Sequence, residues 1–143
     1  MGTLADEGSG RGEQVAKSPL PMKPPSAPTE LIDLEEEAKQ LRAQPAWNQH
    51  GQSGKTLVKH EHFRLVLVAV KAGRRCREHS AEESMSAQAI DGAVRVNLEA
   101  GDGMELRAGT VLALAPGLCH DFEAIEDSTI LLTLAWTGHR AEH

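Results

Sequence analysis

Gly109-Thr110-Val111-Leu112-Ala113-Leu114-Ala115-Pro116-Gly117-Leu118-Cys119-His120 is the stretch that decides the fold. A glycine, an apolar run, a Pro-Gly turn and then a histidine describe a strand, a tight turn and an imidazole directed inward. An upstream stretch has a related build: Gly73, five residues, His79, a polar run, then a strand closing at Asp91-Gly92. Two glycine-framed strands with one histidine each are the parts from which a small β-barrel lines a pocket.

Outward from these stretches, the β pattern holds from Lys55 onward. Phe63–Val70 reads as a buried strand, rich in Val and Leu and without helix caps. Ser84–Ile90 is a weaker strand, and Asp91-Gly92 after it is a hairpin signal. Ala93–Leu98 sets Val94, Val96 and Leu98 against Arg95 and Asn97, so one face is wet. Met104–Arg107, Thr110–Ala115, His120–Ala124 and Thr129–Trp136 follow, with turn residues between them. Seven or eight short strands near ten residues apart, with no βαβ alternation, predict an all-β sandwich or a barrel of jelly-roll type.

The chain before the barrel has another character. Residues 1–28 are dominated by Gly, Ser, Pro and Lys, and Pro19, Pro21, Pro24, Pro25 and Pro28 deny them a helix, so a disordered leader is expected. Thr29 then caps one short amphipathic helix, residues 29–44, with Leu31, Leu34, Ala38 and Leu41 along one stripe; Pro45 ends it. The barrel is expected over 55–137, with a tail at 138–143.

Composition narrows the function. Of 143 residues, 40% are hydrophobic and 3% aromatic, and tyrosine is absent. Four aromatic rings (Trp47, Phe63, Phe122 and Trp136) make a poor base-stacking platform, and a net charge of −6 disfavours binding to a phosphate backbone. Nucleic acid is therefore not an expected partner. Two cysteines without a secretory signal favour reduced thiols, and no run approaches the ~20 apolar residues of a membrane span. A soluble, cytoplasmic protein is the expectation.

Residues 56–136 resemble a single-domain cupin, the small conical jelly-roll barrel, of the bacterial type without assigned function. Gly73, His79 and Gly92 stand at positions of the first cupin motif, and Gly109, Gly117 and His120 at positions of the second, with Pro116 displaced by one. The resemblance implies a divalent metal (Fe, Mn, Ni or Zn) held by three histidines and a glutamate. Here Ala81 stands for the second histidine, Met85 for the glutamate and Ala124 for the usual asparagine, which leaves His79 and His120 as metal candidates. Two imidazoles fall short of the three protein ligands that a catalytic divalent centre takes. The resemblance also implies a homodimer paired through sheet edges, which would cover exposed edge strands.

Strand parity adds a pocket. With Met85 inward, Ala87 and Ala89 share its face, while Ser86, Gln88 and Ile90 point away. Met85, Ala87 and Ala89 would form a roomy apolar floor for a small, partly apolar ligand, with His79 and His120 at its rim. Arg74, Arg75 and Arg77, with Lys71, are the basic cluster and the candidate anion clamp. Cys119, Glu78, Glu82 and Glu83 lie close enough in sequence to supplement the histidines, although Cys119 should face away from His120. His60 and His62 read as exposed edge residues. Ser80, Ser84 and Ser86 lack the elbow and the acid of a hydrolase nucleophile. These features point to a small-molecule binding or sensing module with a degenerate metal site. The alternatives are a metal-dependent isomerase or dioxygenase and a structural dimerisation module.

Overall fold

The computed structural model describes residues 24–78, 82–99, 101 and 103–136, with Arg77 and Glu78 described by backbone alone. Its elements are α1 (Leu34–Arg42), α2 (Pro45–His50), β1 (Gln52–His60), β2 (Phe63–Val70), β3 (Arg75–Glu78), β4 (Ser84–Asp91), β5 (Ala93–Leu98), β6 (Gly103–Arg107), β7 (Val111–Leu114), β8 (His120–Ala124) and β9 (Ser128–Ala135). Antiparallel pairing gives a five-stranded sheet in the order β1-β2-β9-β4-β7 and a four-stranded sheet in the order β3-β8-β5-β6. The two sheets close on each other as an all-β barrel.

Alternation along the strands divides the apolar residues between two cores. Val70, Met85, Ala87, Ala89, Ile130 and Leu114 of the larger sheet meet Val94, Val96, Leu106, Phe122 and Ala124 of the smaller one inside the barrel. On the other face of the larger sheet, Leu57, Leu67 and Ala69 pack under Ala38, Leu41 and Trp47 of the helices. Full burial of a side chain such as Leu41 or Leu67, both 0% exposed, is worth about 1.5–3 kcal/mol.

Several expectations need correction at element ends. The helix starts at Leu34, five residues after Thr29, because Asp33 supplies the cap: its carboxylate accepts the Glu36 N–H at 3.1 Å. Leu31 is consequently fully exposed and leaves the stripe, while Ile32 packs against the helix-side core. Pro45 does not simply end helical structure. It opens a second short helix from its first position, where its missing N–H is no loss. The first barrel strand begins at Gln52, and nine strands are present among the described residues.

Of the expected leader, residues 1–23 lie outside the described residues, as does the tail. Within 24–28, the Ser26 N–H donates to the Lys59 carbonyl at 2.9 Å, and the Lys59 N–H donates to Ser26 Oγ at 2.9 Å, so this piece runs along the end of β1.

Asp91-Gly92 turns the chain, but it makes no hairpin. β4 pairs with β9 and β7, whereas β5 pairs with β6 and β8. Gly92 is therefore a corner at which the chain crosses from one sheet to the other, with φ +83°. The buried Ser128 hydroxyl secures this corner by accepting the Ala93 N–H at 3.0 Å, with the carbonyls of Glu126 (2.7 Å) and Ala93 (3.1 Å) in reach of its single proton.

Arg42 ties the helices to the same end. Its Nη2 donates to Asp91 at 3.2 Å and to the buried Thr129 hydroxyl. One end of the barrel is thus closed by side chains and by crossing backbone.

Candidate functional site

At the other end, β8 begins directly after the Ala115–Cys119 turn, so that His120, Phe122 and Ala124 face inward while Asp121 and Glu123 face out. His120 is 6% exposed. Its ring meets Phe122 edge-on, with centroids 5.3 Å apart. Nδ1 lies 3.0 Å from the Leu118 carbonyl. A carbonyl oxygen accepts and never donates, so Nδ1 of the neutral ring carries the hydrogen and Nε2 keeps the lone pair. Nε2 is buried and has no hydrogen-bond partner among the described residues. Leaving such an acceptor unmet costs about 1–3 kcal/mol.

Register identifies what surrounds it. Leu98 of β5 stands opposite His120, as does the backbone of Glu78 on the other side. The 115–119 turn joins Leu114 to His120, and residues 79–83 join the end of β3 to the start of β4. These short connections place the first residues of β4 and the last of β7 at the His120 end. There the inward face of the larger sheet carries the row Arg64, Leu134, Met85 and Leu114, each opposite the next in register.

Arg64 is the unexpected member of that row. Val66 and Val70 lie on its side of β2, while Leu65, Leu67 and Ala69 face the helices. Arg64 Nε is buried without a partner among the described residues, and the guanidinium carbon lies 5.3 Å from the centre of the Trp136 ring. The side chains of Arg64 and His120 hold the buried nitrogen and oxygen atoms that lack partners among the described residues, and both belong to this end of the barrel. The sequence carries a signal for Arg64: it is the one charged residue in the otherwise apolar Phe63–Val70 run.

Met85, Ala87 and Ala89 lie on the inward face of β4, buried at 7%, 0% and 1% exposure, while Gln88 is exposed on the outer face. Met85 belongs to the His120 end. Ala87 and Ala89 sit progressively deeper, in one cluster with Phe122 and Ile130.

His79, Ser80 and Ala81 lie outside the described residues. Cys119 is half-buried, with its carbonyl 3.1 Å from the Glu99 N–H, and Ser84 is exposed. Among the described residues, no three or more His, Cys, Asp or Glu side chains converge as a metal would require. Of the two candidate metal ligands, His120 is placed and His79 lies outside the described residues.

The basic cluster splits. Arg74 donates through Nε to Gln52 at 3.0 Å. Arg75 belongs to β3 rather than to a loop, and its guanidinium donates to Asp121 at 3.0 Å. That hydrogen bond, helped by charge attraction from Asp121 and Glu123, pushes Arg75 above its ordinary value against the opposing effect of burial. Only the backbone of Arg77 is described. His60 ends β1, with Nε2 3.1 Å from the Ala27 carbonyl, and His62 lies in the turn after it.

No family model and no curated protein matches the sequence. Solved structures do resemble the molecule. An RmlC-like cupin from Shewanella frigidimarina superposes with a TM-score of 0.56 at 18% identity, over 63% of this chain and 80% of that one. The chain has the cupin fold. KdgF from Halomonas sp. also resembles the molecule in shape, with a TM-score of 0.56 and 22% identity over 61% of this chain and 82% of its own. A conserved Streptococcus pyogenes protein of unknown function gives a TM-score of 0.57 at 17% identity, covering 62% and 77%. At these identities the likeness is one of cupin architecture.

Proposed function

We propose that this cupin-fold chain binds a small molecule at the His120 end of its barrel. The observation that carries the reading is the buried Nε2 of His120, on the inward face of β8, with its lone pair unmet among the described residues. Buried polar atoms are nearly always satisfied, so an unmet acceptor marks a position that a ligand fills. Met85, Leu98, Leu114 and Leu134 supply apolar surface at the same end, in the usual proportion of many apolar contacts to few polar ones. A metal-dependent enzyme is the second reading, for which His79, outside the described residues, would have to join His120. No helix among the described residues is long and apolar enough to cross a membrane.

The test is a thermal-shift screen of the full chain against neutral, acidic and basic small molecules, repeated on His120→Phe. Hits that vanish in the variant support the reading. Hits that persist unchanged, or none across the screen, would overturn it.

The homodimer implied by the resemblance also finds support. On the outer face of β9, β4 and β7, the rows Leu131–Gln88–Val111 and Thr133–Ser86–Ala113 hold no charge. On the outer face of the smaller sheet, Arg75, Glu123, Arg95 and Glu105 alternate in sign across the strands. Val111, on the edge strand, is 62% exposed. An uncharged face beside an open edge suits a second copy of itself, since packing the two faces desolvates no ion.

A further inference from the structure

The two unpartnered atoms differ in kind, and the difference specifies a ligand. His120 Nε2 is an acceptor, because the Leu118 carbonyl holds the ring hydrogen on Nδ1. Arg64 Nε carries a hydrogen and belongs to a permanent cation. Arg64 stands in the row with Leu134, Met85 and Leu114 on one sheet, and His120 stands beside Leu98 on the other. Met85, Leu98, Leu114 and Leu134 lie around them as apolar surface.

Resting on the ligand-binding reading above, we infer that the site takes a small hydroxycarboxylate, its carboxylate on the Arg64 guanidinium and its hydroxyl donating to His120 Nε2. A carboxylate matches the Nε edge of a guanidinium in charge and in fork geometry. A hydroxyl is an uncharged donor small enough to share one ligand with that carboxylate and meet the lone pair of His120. A simple fatty acid leaves His120 unmet, and a diol leaves the Arg64 cation uncompensated, so each half of the site rejects a ligand that lacks its counterpart. Arg64 is thereby assigned as a specificity residue on the strand facing away from the basic cluster of β3.

The experiment is calorimetric titration of the full chain with 3-hydroxybutyrate, gluconate and mandelate, and with butyrate and 1,3-butanediol as controls lacking one group each. At least one hydroxycarboxylate is expected to bind about tenfold or more tighter than either control, the loss that one missing charge-assisted or buried hydrogen bond produces. Arg64→Met should bring its affinity down to that of the diol, and His120→Phe down to that of butyrate. Arg64→Lys, which keeps the charge without the fork, controls for loss of folding and should retain partial preference for the acids. Nitrogen NMR of His120 checks the acceptor half directly, and a hydrogen on Nε2 of the neutral ring would overturn it. Equal binding of diol and hydroxycarboxylate, or failure of all three acids, overturns the inference. If other molecules in the thermal screen still bind in a His120-dependent way, the binding site survives and only its specificity is refuted. If nothing binds in either experiment, both fall.

Discussion

A Cβ on Gly92 would lie 2.2 Å from the Ser128 hydroxyl oxygen and 2.4 Å from the Asp127 carbonyl oxygen. The backbone oxygen cannot rotate away as a side chain could. Gly92 also sits at φ +83°, in the left-handed region, so any side chain there meets strain and collision together. Gly92→Ala is expected to cost about 2–4 kcal/mol by urea denaturation. Gly73 has a similar φ of +87° but nothing within 4 Å, so Gly73→Ala should cost only about 1 kcal/mol. Equal losses would mean that the close approach to Ser128 is unimportant.

Much of this barrel is legible in the sequence because β periodicity is local. The bounds of Phe63–Val70 follow from its Val- and Leu-rich run, those of Ala93–Leu98 from alternation and those of His120–Ala124 from the turn before it, and alternation puts Met85, Ala87 and Ala89 on one face. What alternation cannot supply is which strand a turn leads to. Asp91-Gly92 has a hairpin's residues, yet its strands belong to opposite sheets, because their partners (β9 and β8) come much later in the chain. Arg64 escaped for the same reason. Its placement beside Met85 depends on Leu134 standing between them, about seventy residues from Arg64 and fifty from Met85.

The helix layer should contribute measurably to stability. Leu41 is fully buried against the larger sheet, so Leu41→Ala is expected to cost about 2–4 kcal/mol. Arg42→Ala removes the contact to the buried Thr129 hydroxyl as well as to Asp91, and should cost about 1–2 kcal/mol. Both are read from the denaturation midpoint. A loss below about half a kilocalorie in Leu41→Ala would mean that the helices add little to the barrel.

His120→Phe should show the reverse pattern. It removes an unmet buried acceptor, and the exposed Leu118 carbonyl can turn to water for a partner. The ligand-free variant is expected to be as stable as the parent or more stable by up to about 2 kcal/mol, while ligand binding is lost. A substantial drop in midpoint would show that the imidazole is there for packing.

Arg75 permits a statement about pH. Its folded value is raised, first by the hydrogen bond to Asp121, so its stabilising effect is complete below the unfolded value and fades only as pH rises through the folded one. Between about pH 7 and about pH 10, Arg75→Gln should therefore leave the slope of stability against pH unchanged, whatever it does to the level. A changed slope in parallel denaturation series would point to another titrating group coupled to Arg75.

Val111→Lys places a charge on the uncharged outer face, at a position 62% exposed. Light scattering is expected to find a dimer for the parent and a folded monomer for the variant, since a buried lysine without a partner is costly. A monomeric parent at about 50 μM would remove the dimer proposal, that concentration being well above the Kd of a standard-sized interface.

The last strand described, β9, lies in the middle of the five-stranded sheet, bonded to β2 on one side and β4 on the other. During synthesis β1 and β2 can zip into a hairpin early, but β4 and β7 have no route to that hairpin until Ser128–Ala135 has emerged. The apolar inner face of the larger sheet then stays incomplete until that strand is available. Assembly order thus gives β9 a role like that of a keystone: until it is set, the β1-β2 hairpin and the β4-β7 pair remain separate, and a chain that stops before Ser128 has the strands of the smaller sheet but no complete larger one.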